Sequence, residues 1–407
     1  MITIHKIRIY PTKSQEILLN KSCGVARFSY NWALNQWKES YNSENKVSAY
    51  SLIKQLNSIK REQFPWMLEV SKNCPQYAIH NLENAFKRFF KKTSKYPKFK
   101  KKNSKNSFVA IENKQEFRQK NYKLHVPRIG KIKCAENLRF DGKVNNVVIK
   151  KVADMWFAMV NIEILNPVLD INESKNQAFI GVDLGIKTMI TLSDGTTFDN
   201  PKALSKNLRR LKLIQRRLSK KVKDSNNRKK QQIKVARLHY KISCIRKDAI
   251  HKATAYINNN YNKIVIENLD ILKMLKNKKL SRLLHDVSFG EIIRQLEYKS
   301  KIQGNIVIKA DRFFPSSKLC SCCGHKKVDL KLSERIYNCI NCGLSLDRDL
   351  NAAKNLASFG TTQRPCESQA CGEGSSIVEI QYSPSMKQEI VLSNKNLTTN
   401  IEKLWVS

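Results

Sequence analysis

The segment Ala178-Phe-Ile-Gly-Val-Asp183 constrains this chain more than any other, because an apolar run of strand length ends there in a carboxylate. Leu184-Gly185 follows, then a second strand pattern at Thr188–Leu192, a turn at Asp194-Gly195 and a short third strand. A long basic helical region over 202–259 leads into Lys263-Ile-Val-Ile-Glu267, another buried-type strand that ends in an acid. A helix around 289–301 and a strand at 305–309 come next. After a cysteine-rich insert, Asp347-Arg-Asp349-Leu-Asn-Ala-Ala begins a helix with acids at its N-terminus, where the helix dipole favours them.

Three antiparallel strands, a helix, a parallel-type strand, further helices and a final helix is the ribonuclease-H-like order. In that fold, acids at the ends of the first and fourth strands and on a late helix converge on one spot. Two divalent ions held there ~3.5–4 Å apart activate water and stabilise the leaving oxygen in phosphodiester cleavage. Mg²⁺ suits an all-carboxylate site, being a hard ion that keeps several waters. Asp183, Glu267 and an acid of the Asp347/Asp349 pair are the candidates. Integrase-type transposases read Asp, Asp, Glu along this fold. Asp, Glu, Asp is the resolvase-like, RuvC arrangement.

Cys320-x2-Cys323, fifteen intervening residues and Cys339-x2-Cys342 have the spacing of a four-thiolate zinc ribbon, with Gly324 and Gly343 just after each pair. A closed four-Cys site leaves no open coordination position, so this zinc is expected to be structural. Cys322 reads as a free thiol, and His325 lies beyond the glycine. Between the 305–309 strand and the helix of Asp349, the ribbon must sit beside the carboxylates.

Charge points to the partner. The 407 residues hold 75 Lys plus Arg against 34 Asp plus Glu, a net of +41, and such an excess implies a polyanion, most commonly nucleic acid. Nineteen basic residues and two acids lie between Lys202 and Lys252, among them Arg209, Arg210, Arg216 and Arg217. Lys91 to Lys105 holds eight lysines and no acid, with Tyr96 and Phe99 interleaved; Lys91, Lys92, Lys98 and Lys100 belong to it. One such run is usually a solvated face. Two without compensating acids read as contacts to phosphate backbone, with affinity that falls steeply with salt.

The remaining chain is also patterned. Ile2 to Tyr10 alternates as a strand, 13–90 is helical, and 106–165 is β-rich. Lys72 and Gln76, one turn apart, could read base edges or could form a solvated helix face. No apolar run approaches the ~18–20 residues of a membrane span, and the start lacks the apolar core of a signal peptide. A cytoplasmic protein is expected, associated with the nucleoid through DNA. Residues 361–407 carry a net charge of −1 with Cys366 and Cys371 unpaired by spacing, and read as a disordered tail without chemistry.

Gly181-Val-Asp-Leu-Gly-Ile-Lys, Val265-Ile-Glu-Asn-Leu, Phe314-Pro-Ser-Ser-Lys-Leu-Cys-Ser-Cys-Cys-Gly and Asp347-Arg-Asp-Leu-Asn-Ala-Ala-Lys-Asn resemble the motifs of the TnpB family. These are transposon-encoded RNA-guided DNA endonucleases related to the type V CRISPR effectors. Ile9-Tyr-Pro-Thr and Tyr96-Pro-Lys-Phe-Lys extend the resemblance, which covers about residues 1–360. It implies a multidomain α+β chain. A β-barrel wedge domain (1–10 and 105–170) would be split by a helical recognition insert (11–104). A RuvC-like nuclease domain (175–315 and 345–360) would carry the inserted zinc ribbon (316–344). It also implies a guide RNA from the transposon end, double-stranded target DNA with a short adjacent motif, and no required protein oligomer. Asp183, Glu267 and Asp349 match the family's acids, Asp349 being the one in Asp-x-Asn-Ala. Arg335 matches a recurring basic residue of the insert and could touch the cleaved strand, or could be a plain surface arginine. Lys72 and Gln76 would then read the adjacent motif. A nuclease-inactive RNA-guided repressor, a transposase and a plain zinc-ribbon binder are the competing readings.

Overall fold

Ile2–Tyr10 (β1) alternates, and its inward set His5, Ile7 and Ile9 is buried. A computed structural model describes residues 2–42, 47–102, 106–112, 119–164, 176–331 and 333–362. After β1 come the helices Lys13–Asn42 (α1), Ala49–Gln63 (α2, closed by a Ser48/Ser51 capping box), a 3₁₀ turn at Pro65–Glu69, and Asn73–Phe90 (α3). In α3, Ala78, Ile79, Leu82 and Phe86 recur at helical spacing and form its buried stripe. The strands Ser107–Glu112 (β2), Gln119–Lys120 (β3), Lys123–Val126 (β4), Gly130–Cys134 (β5), Lys143–Val152 (β6) and Met155–Glu163 (β7) follow. With β1 they form one antiparallel sheet in the order β2-β6-β7-β1-β5-β4-β3. The sheet and the three helices share a single apolar core.

A second sheet carries the acids. Asn176–Leu184 (β8), Thr188–Leu192 (β9) and Thr197–Asp199 (β10) run antiparallel. The helices Ala203–Ser219 (α4) and Asn226–Asn260 (α5) intervene before Tyr261–Ile266 (β11). Ile271–Leu275 (α6), Ser281–Val287 (α7) and Phe289–Gln303 (α8) then lead to Ile306–Lys309 (β12). The sheet order is β10-β9-β8-β11-β12, with β8, β11 and β12 parallel. The expected long basic helical region is thus two helices, α4 and α5, broken at 220–225. They pack on each other through Leu211, Leu238 and Ile242. Helix α5 also touches the first sheet: Arg237 forms a two-pronged ion pair with Asp154, and the ring centroids of Tyr240 and Phe157 are 5.7 Å apart.

The remaining elements are Ile336–Asn338 (β13), Ser345–Asp347 (β14) and Arg348–Thr362 (α9). Helix α9 continues two residues into the stretch expected as a tail; 363–407, with Cys366 and Cys371, lies outside the described residues, as does Lys105. The two faces of the second sheet are divided by parity. Ile180, Val182, Ile264 and Ile266 pack in a core with α5, α7 and α8, while Phe179 and Val265 pack with Leu356 of α9 on the other face.

Candidate active site

Asp183 and Glu267 become neighbours through strand register. Ile266 pairs with Val182 across parallel β8 and β11, so the next residues, Asp183 and Glu267, stand level at the ends of adjacent strands. By the same alternation both sit on the α9 face. Gly181 decides how close α9 comes: a Cβ there would lie 1.8 Å from the carbonyl oxygen of Ala353 and 2.7 Å from the amide nitrogen of Ala357. Only a glycine permits that approach. The packed helix brings the Asp349 carboxylate over the turn after β8, with Oδ2 3.8 Å from where a Gly185 Cβ would stand. Asp347 lies next to them as the residue before α9, where its charge is felt at Asp183 and Asp349. Its Oδ1 accepts hydrogen bonds from the amides of Asp349 (2.9 Å) and Leu350 (3.1 Å), capping α9.

The three carboxyls are all raised, and Asp183 feels the charge of the other two. Burial, then the charges of Glu267 and Asp349, raise the Asp183 pKa well above the carboxylate range. Burial raises Glu267 against the opposing hydrogen bond from Ser316, and burial followed by the charge of Asp347 raises Asp349. Arg335, Arg348 and Lys187 oppose the rise at Asp349. Crowded acids that penalise their own charge are the donor set a hard cation relieves. They form a wider group than a single-ion cage, their ligand atoms not all lying within 4.8 Å of one another.

The four cysteines form a tight cluster. All four sulfurs lie within 4.8 Å of one another; Cys320 and Cys342 approach to 3.5 Å, Cys323 and Cys339 to 3.6 Å. A tetrahedral ion with bonds of about 2.3 Å spaces its sulfurs by about 3.8 Å, so the geometry fits zinc. Gly324 (φ 73°) and Gly343 (φ 72°) adopt the left-handed turn after each pair. Cys322 is exposed and outside the cluster; His325, half-buried, is also outside it, and its carbonyl accepts from the Cys320 amide and the Tyr337 hydroxyl.

The basic candidates scatter over several surfaces. Arg209, Arg210, Arg216 and Arg217 are exposed along α4. Lys72 is exposed just ahead of α3, and Gln76 is half-buried in the helix's first turn. Lys91, Lys92 and Lys98 are exposed beyond α3. Lys100 differs: its ammonium lies 3.6 Å from the Tyr30 ring centroid, and burial pulls its pKa down to about 8. It lines a cleft of about 490 Å³ with Arg27, Tyr77, Asn81, Asn84 and Asn146. Arg335 is exposed and lines a second cleft of about 470 Å³ with Lys187, Lys202 and the buried Asp286. Lys187, Ser316, Asn351, Asn355 and the cleft asparagines were not singled out from sequence. Lys187, Ser316 and both α9 asparagines stood inside the quoted motifs, which was the available signal.

Known proteins resemble the chain along most of its length. Residues 160–278 match a family model described as a probable transposase, 289–356 one described as a Cas12f1-like TNB domain, and 1–46 one described as a helix-turn-helix domain. In the last of these, Lys13–Asn42 is a single helix of 30 residues. The chain is 34% identical over 376 residues to the "Putative RNA-guided DNA endonuclease" of Streptomyces pristinaespiralis, covering 91% of this chain and 90% of that protein. It is 30% identical over 406 residues to InsQ of Escherichia coli strain K12, which bears the same designation, covering 94% and 96%. A solved chain from a Cas12f1–sgRNA–target DNA complex shares the fold, with a TM-score of 0.54 at 14% identity over 88% of this chain and 98% of that one.

Proposed function

The chain belongs to the TnpB family of RNA-guided DNA endonucleases, and we propose that Asp183, Glu267 and Asp349 are its hydrolytic centre. It binds a guide RNA and cuts the DNA that the guide matches. The observation that carries the assignment of the centre is the approach of three carboxyls at the ends of β8 and β11 and the start of α9, with the charges of Glu267 and Asp349 both felt at Asp183.

The second sheet reads as a RuvC-type, ribonuclease-H-like domain, from its strand order and the helices on both faces. The first sheet reads as the wedge barrel and α1–α3 as its recognition insert. In the nuclease domain, Asp183, Glu267 and Asp349 would hold two Mg²⁺ ions, which supply an activated water and stabilise the departing oxygen. The carboxylates fix where the scissile phosphate can sit, while Lys187 and Arg335 beside Asp349 attract and orient the strand's phosphates. The four cysteines would hold a structural zinc that keeps 316–344 folded. Exposed arginines on α4 and the lysines after α3 would hold the RNA backbone. Lys72 and Gln76 would read the target-adjacent motif.

A transposase reading is favoured by the description of one matching family, and the order Asp, Glu, Asp counts against it. To test the proposal, the RNA that co-purifies is sequenced and the complex is offered duplexes matching or scrambled against it. Mg²⁺-dependent cutting of the matching duplex alone is the expected result. Strand transfer without guide dependence would support the transposase, and guided binding without any cutting the repressor.

A further inference from the structure

Ser316 stands where the chain enters the cysteine insert and is 3% exposed. Its hydroxyl donates to Oε1 of Glu267, 49 positions away. Its carbonyl accepts from Nδ2 of Asn355 at 2.7 Å, and the same amide donates to the carbonyl of Leu319 at 2.7 Å. One turn earlier on α9, Nδ2 of Asn351 also donates to the Leu319 carbonyl at 2.7 Å, while its Oδ1 accepts from the Ser321 amide at 2.9 Å. Asn351 and Asn355 are buried. A hydrogen-bonded path therefore runs from α9, whose first turn holds Asp349, through 316–321 to the Glu267 carboxylate.

The chemistry of that path is directional. A serine hydroxyl has one proton, and here it goes to a carboxylate oxygen. A carboxylate held through one oxygen keeps the other free and aimed, which is how partners behind metal ligands set their geometry. We propose that Ser316 is a positioning residue for the metal centre: it orients Glu267, and Asn351 and Asn355 lock it in register with the helix that carries Asp349. The proposal rests on the reading of Glu267 as a metal ligand. It gives the cysteine insert a task at the acids, because the segment that orients Glu267 is the one that leads into Cys320.

The test compares wild type, Ser316→Ala, Ser316→Thr and Glu267→Gln as full-length chains. Mn²⁺ affinity is measured by electron paramagnetic resonance on the RNA-free protein, and the Mg²⁺ midpoint of guided cleavage on the complex. Zinc content and melting temperature are recorded alongside. Ser316→Ala should weaken Mn²⁺ binding and raise the Mg²⁺ midpoint by about 10–100-fold, with zinc content and guided DNA binding unchanged. Ser316→Thr, which keeps the hydroxyl, should restore both midpoints. If Ser316→Ala leaves both midpoints at the wild-type value while Glu267→Gln loses Mn²⁺ and cleavage, the positioning role is overturned and the site stands. The role is equally overturned if Ser316→Ala lowers melting temperature or zinc content without moving either midpoint. If Glu267→Gln itself keeps wild-type Mn²⁺ affinity and cutting, the reading of the site falls first.

Discussion

Cys320 and Cys342 are 22 positions apart and their sulfurs approach to 3.5 Å, whereas Asp183 and Asp349 are separated by most of a sheet and the whole insert. The thiols are gathered by local turns, each closed by a left-handed glycine. The acids are gathered by packing: parallel register aligns two of them, and a helix laid against Gly181 delivers the third. One set lies within the insert, packed around Tyr337 with Leu330 and Leu344. The other depends on contacts made by residues that are not ligands. Ser316 and the two α9 asparagines are where the sets meet.

Removing an acid should have the largest consequence. Asp349→Ala is expected to lower guided cleavage by about 10³-fold or more, equivalent to roughly 4 kcal/mol of transition-state stabilisation, while guided DNA binding persists in a gel-shift assay. Undiminished cutting would remove Asp349 from the centre. Gly181→Ala changes no ligand, yet the new Cβ would collide with α9. Overpacking of this kind costs about 1–3 kcal/mol, occasionally more, so melting temperature and cleavage should fall together. Wild-type values of both would show that the close approach does not set the acid geometry.

Cys339→Ser probes the other set. Bound zinc, measured by atomic emission, should drop and cleavage should weaken through the 316–321 segment, with the first sheet's stability unaffected. One zinc per chain with full activity would break the four-Cys assignment. Asp347→Ala should keep cutting and lose only the cap, about 0.5–2 kcal/mol in denaturant unfolding; loss of cutting would exchange the roles of Asp347 and Asp349.

The last prediction concerns pH. Asp183, Glu267 and Asp349 all have raised pKa values when the metal is absent. An acid raised on folding binds its proton more tightly in the folded state. Stability is therefore greatest below the ordinary carboxylate pKa and is lost as pH rises through the raised values. In chelator, Asp183→Asn should melt above wild type at neutral pH, with the gap closing in acid. A variant that melts below wild type at neutral pH would contradict the electrostatic crowding.

Strand ends at Asp183 and Glu267, the order of elements around them and the cysteine pairs were legible because each is a local signal: an apolar run, a turn, a fixed spacing. Asp347 and Asp349 were separated in the sequence only by the family's Asp-x-Asn-Ala motif; in the structure Asp347 ends β14 and caps α9, while Asp349 stands in the helix's first turn. The short helices α6 and α7 were not foreseen, being too brief for a periodicity to show. Nor was the break between α4 and α5, where a run of charge continues across the turn. The clefts lined by Arg27, Asn81 and Asn84 or by Lys187 and Arg335 collect residues from separate elements, so no window of sequence contains them.

By itself, the sequence determined which residues could ligate, which elements would carry them and that a polyanion would be the partner, because charge, spacing and periodicity are properties of neighbours along the chain. Register and helix packing, which only the folded chain has, set Asp183 and Glu267 level, admit α9 over Gly181 and let the Ser316 hydroxyl donate its hydrogen bond to Glu267. Those are distances between residues far apart in the chain, and they exist only once strand register and helix packing have closed the space between them.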